Sequence, residues 1–177
     1  KRLGVNIDHI ATIRNARGEN HPNIYKAAKY VLKCGANSIT IHLREDRRHI
    51  TDNDLKTISS NKKIPLNLEL AANINMLKIA LKRKPNYVCI VPEKRNEITT
   101  EGGLNLKKNL NKLKNIVYKL KDNRIRTSLF INPNIRDIYI SKDIGADCVE
   151  LHTGKISRLI KNDKNIKNKY SKINKCS

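Results

Sequence analysis

The 177 residues carry 37 Lys and Arg against 16 Asp and Glu, a formal net charge of +21, with 38% hydrophobic residues and no Trp. That is apolar enough for one sizeable core and suits one domain, which excludes a collagen-like, disulfide-dense or wholly disordered chain. No apolar run approaches the ~20 residues of a membrane span and the first residues lack a signal-peptide stretch, so a soluble cytosolic protein without a membrane partner is expected.

Residues 3–8 read as a first strand. Ile24, Ala27, Ala28, Val31 and Leu32 then mark a helix face that Gly35 stops. Residues 38–43 form a second strand. Thr51 opens the next helix as N-cap with Asp54 three residues on, and Ile50 and Leu55 are spaced for a hydrophobic staple. Residues 65–70 are a third strand, followed by a helix carrying Ile74, Leu77 and Leu81. Residues 87–91 are a more uniformly apolar fourth strand closed by Pro92. Leu106, Leu110, Leu113, Val117 and Leu120 repeat at steps of four and three, the clearest helix in the chain. Residues 126–131, 134–144 and 148–153 complete the series as strand, short helix and strand. Six strands alternating with five helices imply parallel βαβ units.

Residues 155–177 differ in character, with eight Lys and Arg against one acid, Asp163. Ile156, Leu159, Ile160 and Ile166 offer a poor amphipathic helix, and a frayed tail is equally open. The expected organisation is a barrel portion over residues 1–154 and a lysine-rich tail over 155–177.

The strand phases carry the functional information. Leu3, Val5 and Ile7 share one face while Asn6 and Asp8 share the other. Ile39, Ile41 and Leu43 oppose Thr40, His42 and Arg44. Leu66, Leu68 and Leu70 oppose Asn67 and Glu69, and Val149 and Leu151 oppose Glu150 and His152. An open doubly wound sheet covers both faces and reads as continuous apolar runs. A barrel explains strands that are apolar outward and polar inward near their C-terminal ends. Asn67 and Thr40 read as groups that satisfy one another. Carboxylates and histidines from four strands point instead to a site, because buried charge is costly. Arg17, Arg44 and His49 in the loops after the first two strands suit phosphate, whereas Arg47 and Arg48 read as a solvated run. Residues 93–103, ending in Gly102-Gly103, read as a lid hinge or an ordinary flexible connection.

Cys34, Cys89, Cys148 and Cys176 are scattered without ligand spacing. Cys89 and Cys148, in or beside apolar runs, read as small buried thiols. Dispersed aromatics and the absence of a recognised binding motif argue against a nucleic-acid partner despite the charge, since Lys, Asn and Ile are abundant everywhere.

Gly4-Val5-Asn6-Ile7-Asp8-His9 running on to Arg14-Asn15-Ala16-Arg17-Gly18 resembles the start of the pyridoxine 5′-phosphate synthase family. The resemblance extends through His42-Leu43-Arg44-Glu45-Asp46-Arg47-Arg48-His49-Ile50, Asn67-Leu68-Glu69 and Val91-Pro92-Glu93-Lys94-Arg95. It continues in Thr99-Thr100-Glu101-Gly102-Gly103, Ser128-Leu129-Phe130-Ile131 and Glu150-Leu151-His152-Thr153-Gly154. It implies an α/β fold of the parallel (β/α)8 TIM-barrel type, of which about six βα units are present here. It also implies condensation of 1-deoxy-D-xylulose 5-phosphate with 3-amino-2-oxopropyl phosphate to pyridoxine 5′-phosphate, phosphate and water, without a metal or organic cofactor.

By the same resemblance His42 and Glu69 are proton acceptors and Glu150 stabilises charge. Asp8, His9, Arg44, His49 and Thr99 hold the deoxyxylulose phosphate, and Asn6 and Arg17 contact the amino-ketone phosphate. The family's homo-octamer is the implied assembly. Its last two strands, a proton-donating His and glycine-rich phosphate turns have no counterpart in residues 155–177, so a weakly active or inactive chain is expected. Another phosphosugar barrel enzyme is the alternative reading, although no lysine stands at an inward mid-strand position for Schiff-base chemistry.

Overall fold

The computed structural model describes residues 1–94, 97, 99, 102–161 and 167–176. Six strands form one parallel sheet in sequence order: β1 (Gly4–Asn6), β2 (Ser38–His42), β3 (Leu66–Ala71), β4 (Tyr87–Val91), β5 (Arg126–Ile131) and β6 (Cys148–Leu151). The crossovers are α1 (Asp8–Arg17) and α2 (Ile24–Lys33), then α3 (Asp52–Ser60), α4 (Ile74–Arg83), α5 (Leu110–Asp122) and α6 (Ile135–Ile144). Each strand pairs with its sequence neighbour and the next helix covers the outer face, which is the arrangement of a β/α barrel. β1 and β6 are the two edges of the sheet.

The register explains the alternation read from the sequence. Ile39, Ile41, Leu66, Leu68, Leu70, Val88, Ile90 and Leu129 are buried on the outer face against Ala28, Leu55, Ile58, Leu77, Ala80, Leu113, Val117 and Leu120. Each fully buried Leu or Ile contributes about 1.5–3 kcal/mol from leaving water. The other phase faces the lumen. There His42 lies beside Glu69, Glu69 beside Cys89, Cys89 beside Ser128 and Ser128 beside Cys148. In a flat sheet β3 and β6 would stand about 14 Å apart at the usual strand spacing. Glu150 of β6 nevertheless acts electrostatically on Glu69 of β3, so the sheet curls its polar face inward.

Polar caps start the helices where the strands and loops release the chain. Asn23, Thr51, Asn73 and Asn134 each accept a hydrogen bond from an amide of the first turn. Thr51 and Asp54 form the expected capping box, and Ile50 and Leu55 beside it are both fully buried.

Several local expectations are corrected. β1 ends at Asn6, and the following segment is the helix α1 rather than a loop. Its burial rests on Ile7 and Ala11, spaced by four, and Gly18 closes it at φ +66°. Charged residues on its outer side obscured that short apolar spacing. In α4 the buried residues are Met76, Leu77 and Ala80, while Ile74 is 52% exposed because it opens the first turn on the outer side. Cys148 is exposed because it sits on the edge strand, whereas Cys89 is buried. Arg47 is not simply solvated: its guanidinium donates to the Arg44 carbonyl and pairs with Asp52, holding the turn after β2.

Beyond β6 the chain forms α7 (Gly154–Lys161) and α8 (Lys167–Cys176), with α8 packed on α6. Ile166, assigned to the amphipathic face, lies outside the described residues. No helix among the described residues is long and apolar enough to cross a membrane.

Candidate active site

The strands deliver their polar side chains to one end of the lumen, the C-terminal end, where barrel enzymes carry their sites. Asn6 and Asp8 lock the exit from β1: the Asn6 amide donates to Asp8 Oδ2 (3.1 Å) and the Asp8 N–H donates to Asn6 Oδ1 (2.9 Å). Asp8 Oδ1 then accepts the backbone N–H of His42 (2.8 Å), tying the first strand end to the second. Asp8 therefore shapes the site as well as charging it.

His42 stands at the centre. Its Nδ1 lies 3.8 Å from Glu69 Oε2 and its Nε2 2.9 Å from Glu93 Oε1. Glu69 is pushed up to about 7, chiefly by burial, then by the negative charge of Glu150, with Asp8 adding and His42 opposing. A carboxyl group in that range exchanges protons readily near neutrality. Cys89 sits beneath, its thiol driven upward by burial and by Glu150 and Glu69, so it stays protonated. Asp8, His42 and Glu69 each present one atom within 4.8 Å of the others, close enough to share one cation. Two of the three donors already hold internal partners in the Asp8 and His42 hydrogen bonds.

The rim is cationic. Thr12 of α1 brings its hydroxyl 2.8 Å from His49 Nδ1 and 3.4 Å from His9 Nδ1, and the two imidazoles meet edge to face at 5.8 Å. Arg44 Nε is buried without a hydrogen-bond partner; Asp46 is 3.5 Å away, within ion-pair range only. A partly buried guanidinium whose Nε has no hydrogen-bond partner offers an unused donor, the kind of group that takes an anion.

On the far side, Thr99 Oγ1 accepts from the Asn132 amide (2.6 Å), and Asn132 Oδ1 accepts the N–H of Gly103 (3.0 Å). A Cβ at Gly103 would stand 2.6 Å from the Asn132 amide nitrogen, and one at Gly102 2.9 Å from the His152 ring. The glycine pair is thus required by close packing of this loop on β5 and His152. Thr100, Glu101 and Arg95 of the segment read as a hinge lie outside the described residues. His152 packs edge-on against Phe130 and borders a cavity of about 870 Å³ with Thr99, Asn132, α6 and α8.

The structure therefore gathers Asp8, His42, Glu69 and Glu150, with Asn6 beside them, sets His9 and His49 together on the rim, and places Arg44 just beyond the end of β2. Arg17 is different. Its guanidinium is 55% exposed at the end of α1 and pairs with Glu19, because Arg14, three residues earlier, takes the inward place and binds Asp54 of α3. Asn67 donates to Thr40, the mutual satisfaction expected of that pair. Sequence reading missed Glu93 as a partner of His42 and Glu97 as the buried acid that holds the Glu93 backbone and pairs with Lys112 of α5. Glu97 Oε2 accepts the N–H groups of Glu93 and Lys94. Neither lies on a strand, so strand phase held no signal for them.

Fold and site together define part of a parallel β/α barrel, six strands with two open edges, whose strand ends gather carboxylates and histidines beside an arginine with an unused donor. The family model described as pyridoxal phosphate biosynthesis protein PdxJ matches residues 3–177, and the chain belongs to that family. It is 62% identical to a pyridoxine 5′-phosphate synthase of Pelagibacter ubique over all 177 residues, which cover 74% of that protein. It is 53% identical over 153 residues to the protein of that name from Blochmanniella floridana, and 54% identical over 153 residues to that from Campylobacter fetus. It covers 62% and 59% of these two proteins, so the chain spans about three-fifths of their length. Among solved structures, a xylose isomerase domain containing protein from Salmonella typhimurium aligns with a TM-score of 0.51 at 12% identity. That alignment covers 85% of this chain and 59% of the other, a likeness of fold alone.

Proposed function

We propose that the chain serves pyridoxine 5′-phosphate synthesis, joining 1-deoxy-D-xylulose 5-phosphate to 3-amino-2-oxopropyl phosphate with release of phosphate and water. The observation that carries this reading is the Glu69 carboxyl, raised to about 7 and set 3.8 Å from His42 inside a lumen with a cationic rim. Uniting an amine with a ketone, expelling water and phosphate and closing an aromatic ring requires repeated proton transfers within one site. Glu69, raised to about 7 beside the His42 imidazole, is placed to supply them.

In this reading His42 and Glu69 accept protons in turn. Glu150, across the lumen, stabilises the positive charge that develops on the condensing nitrogen. Arg44, His49, His9, Thr99 and Asp8 hold the deoxyxylulose phosphate, with the undersatisfied Arg44 Nε supplying a donor. Asn6 and Arg17 face the amino-ketone phosphate, and Arg17 must exchange Glu19 for that ligand. No organic cofactor enters the scheme. A cytoplasmic homo-oligomer, an octamer in the family, belongs to the same reading.

The test is to mix the purified chain with both phosphates, follow pyridoxine 5′-phosphate by its absorbance and measure deoxyxylulose phosphate binding by calorimetry. Product above the protein-free rate, with saturable binding that Arg44→Ala weakens, is expected. Absence of both product and binding overturns the reading.

A further inference from the structure

Glu93 follows Pro92 at the end of β4, and its side chain turns back into the lumen with only 5% of its surface exposed. The carboxylate is held from two sides. Oε1 lies 2.9 Å from His42 Nε2, and Oε2 accepts the backbone N–H of Glu45 (3.0 Å). Its own backbone is fixed by Glu97, which takes the N–H groups of Glu93 and Lys94 at 3.1 and 3.2 Å. The loops after β2 and β4 are thus locked together through one side chain.

Burial favours the neutral form of Glu93, but the hydrogen bonds from His42 and the Glu45 amide, helped by the charge of Arg44, outweigh it and hold the carboxyl below its ordinary range. An ionised carboxylate can only accept, so the proton in the His42–Glu93 bond resides on Nε2. The lone pair of the neutral ring is then on Nδ1. That nitrogen faces Glu69 at 3.8 Å, beyond hydrogen-bond range, and among the described residues nothing else engages it.

We propose that Glu93 is the positioning residue that fixes His42 in its Nε2–H tautomer and makes Nδ1 the nitrogen that accepts the substrate's proton. The role rests on the reading of His42 as a proton acceptor in the synthase reaction. In the step concerned, the proton leaves the substrate for Nδ1 and its electron pair stays on the substrate. The imidazolium so formed lies between Glu93 and Glu69, and Glu93, ionised in advance, stabilises it without reorganisation. When Nδ1 returns the proton to a departing oxygen, the ring reverts to the same tautomer.

The isosteric Glu93→Gln exchange tests this. The Glu45 amide is a fixed donor, so the glutamine oxygen remains on it and the NH2 group faces Nε2, which must then accept. The proton moves to Nδ1 and removes the base. Nitrogen-15 NMR of histidine-labelled full chain at about pH 7 should report His42 protonated on Nε2 and bare on Nδ1, and the reverse in Glu93→Gln. The turnover rate should fall about 10²–10⁴-fold, with KM for both phosphates kept within about threefold, because no phosphate-binding group has moved.

A wild-type His42 protonated on Nδ1, or a tautomer or kcat unchanged by Glu93→Gln, overturns the proposal. If Glu93→Gln does not fold, the wild-type tautomer and the kcat of Glu93→Asp, which remains acceptor-only and should retain the Nε2–H form, decide it. Tautomers as expected in a chain that makes no pyridoxine 5′-phosphate would sink the synthase reading and leave the assignment of Nδ1 standing.

Discussion

Asp54 and Glu69 are both largely buried carboxylates beside a basic side chain, Arg14 among the outer helices and the His42 imidazole in the lumen, and their surroundings push them in opposite directions. Burial favours the neutral form of Asp54, yet Arg14 grips both its oxygens and Thr51 adds its N–H and hydroxyl, so the balance falls below the ordinary range. Glu69 is desolvated with no donor: among the described residues none hydrogen-bonds to it, and Glu150 and Asp8 add negative charge. The number of donors, acting together with burial, separates a carboxylate that clamps two helices from one kept ready to move protons. Stability and chemistry occupy opposite faces of one sheet.

The comparison breaks first on activity. Glu69→Gln should lower product formation about 10³-fold or more while deoxyxylulose phosphate still binds calorimetrically; turnover at the wild-type rate would remove Glu69 from the acid–base machinery. Next comes the clamp. Arg14→Ala leaves Asp54 charged and half-paired and should cost about 3 kcal/mol in urea unfolding, with KM for both phosphates nearly unchanged.

A third prediction sets the two acids against each other through pH. Glu69 binds its proton more tightly folded than unfolded, so its contribution is fully present below about 4.5 and is lost as pH rises through about 7. Glu69→Gln should therefore be more stable than wild type by about 3 kcal/mol at about pH 8, the gap closing towards about pH 4.5. Asp54 has the opposite sign: its folded value is depressed, so its stabilisation is present above the unfolded value and is lost on acidification. The deficit of Asp54→Asn should accordingly shrink as pH falls. Parallel pH slopes in the two variants would erase the distinction. The smallest effect is that of Thr51→Ala, which removes one cap and one donor to Asp54 and should cost about 1 kcal/mol, without changing kcat.

Much of the barrel was legible because its signals are local. Ile39, Ile41, Leu66, Leu68 and Leu70 alternate with Thr40, His42, Asn67 and Glu69 at the period of a strand, and that period fixes which face each residue takes. The bounds of β4 and β5 and the Thr51–Asp54 box followed from the same short-range rules. α1 was not legible, because its one buried apolar residue is Ala11, with the buried Ile7 standing just before the helix. Glu93 and Glu97 were equally silent: a loop has no period, and nothing in Val91-Pro92-Glu93 tells a solvated acid from one folded back against His42. The partners of the two arginines were illegible for a related reason, since Arg14 and Arg17 stand three apart on one helix and only the position of Asp54 decides that Arg14 pairs with it while Arg17 stays exposed beside Glu19.

What the sequence alone determined was the alternation of strands and helices, the identity of the inward residues and the family motifs that contain them, all set by neighbours a few positions apart. Only the tertiary structure decided what those residues do to one another. The curl of the sheet brings Glu150 to bear on Glu69, and the loop after β4 brings Glu93 to Nε2 of His42. Proton affinity and tautomer depend on distances between atoms some fifty to eighty residues apart in the chain, and such distances exist only once the polypeptide has folded.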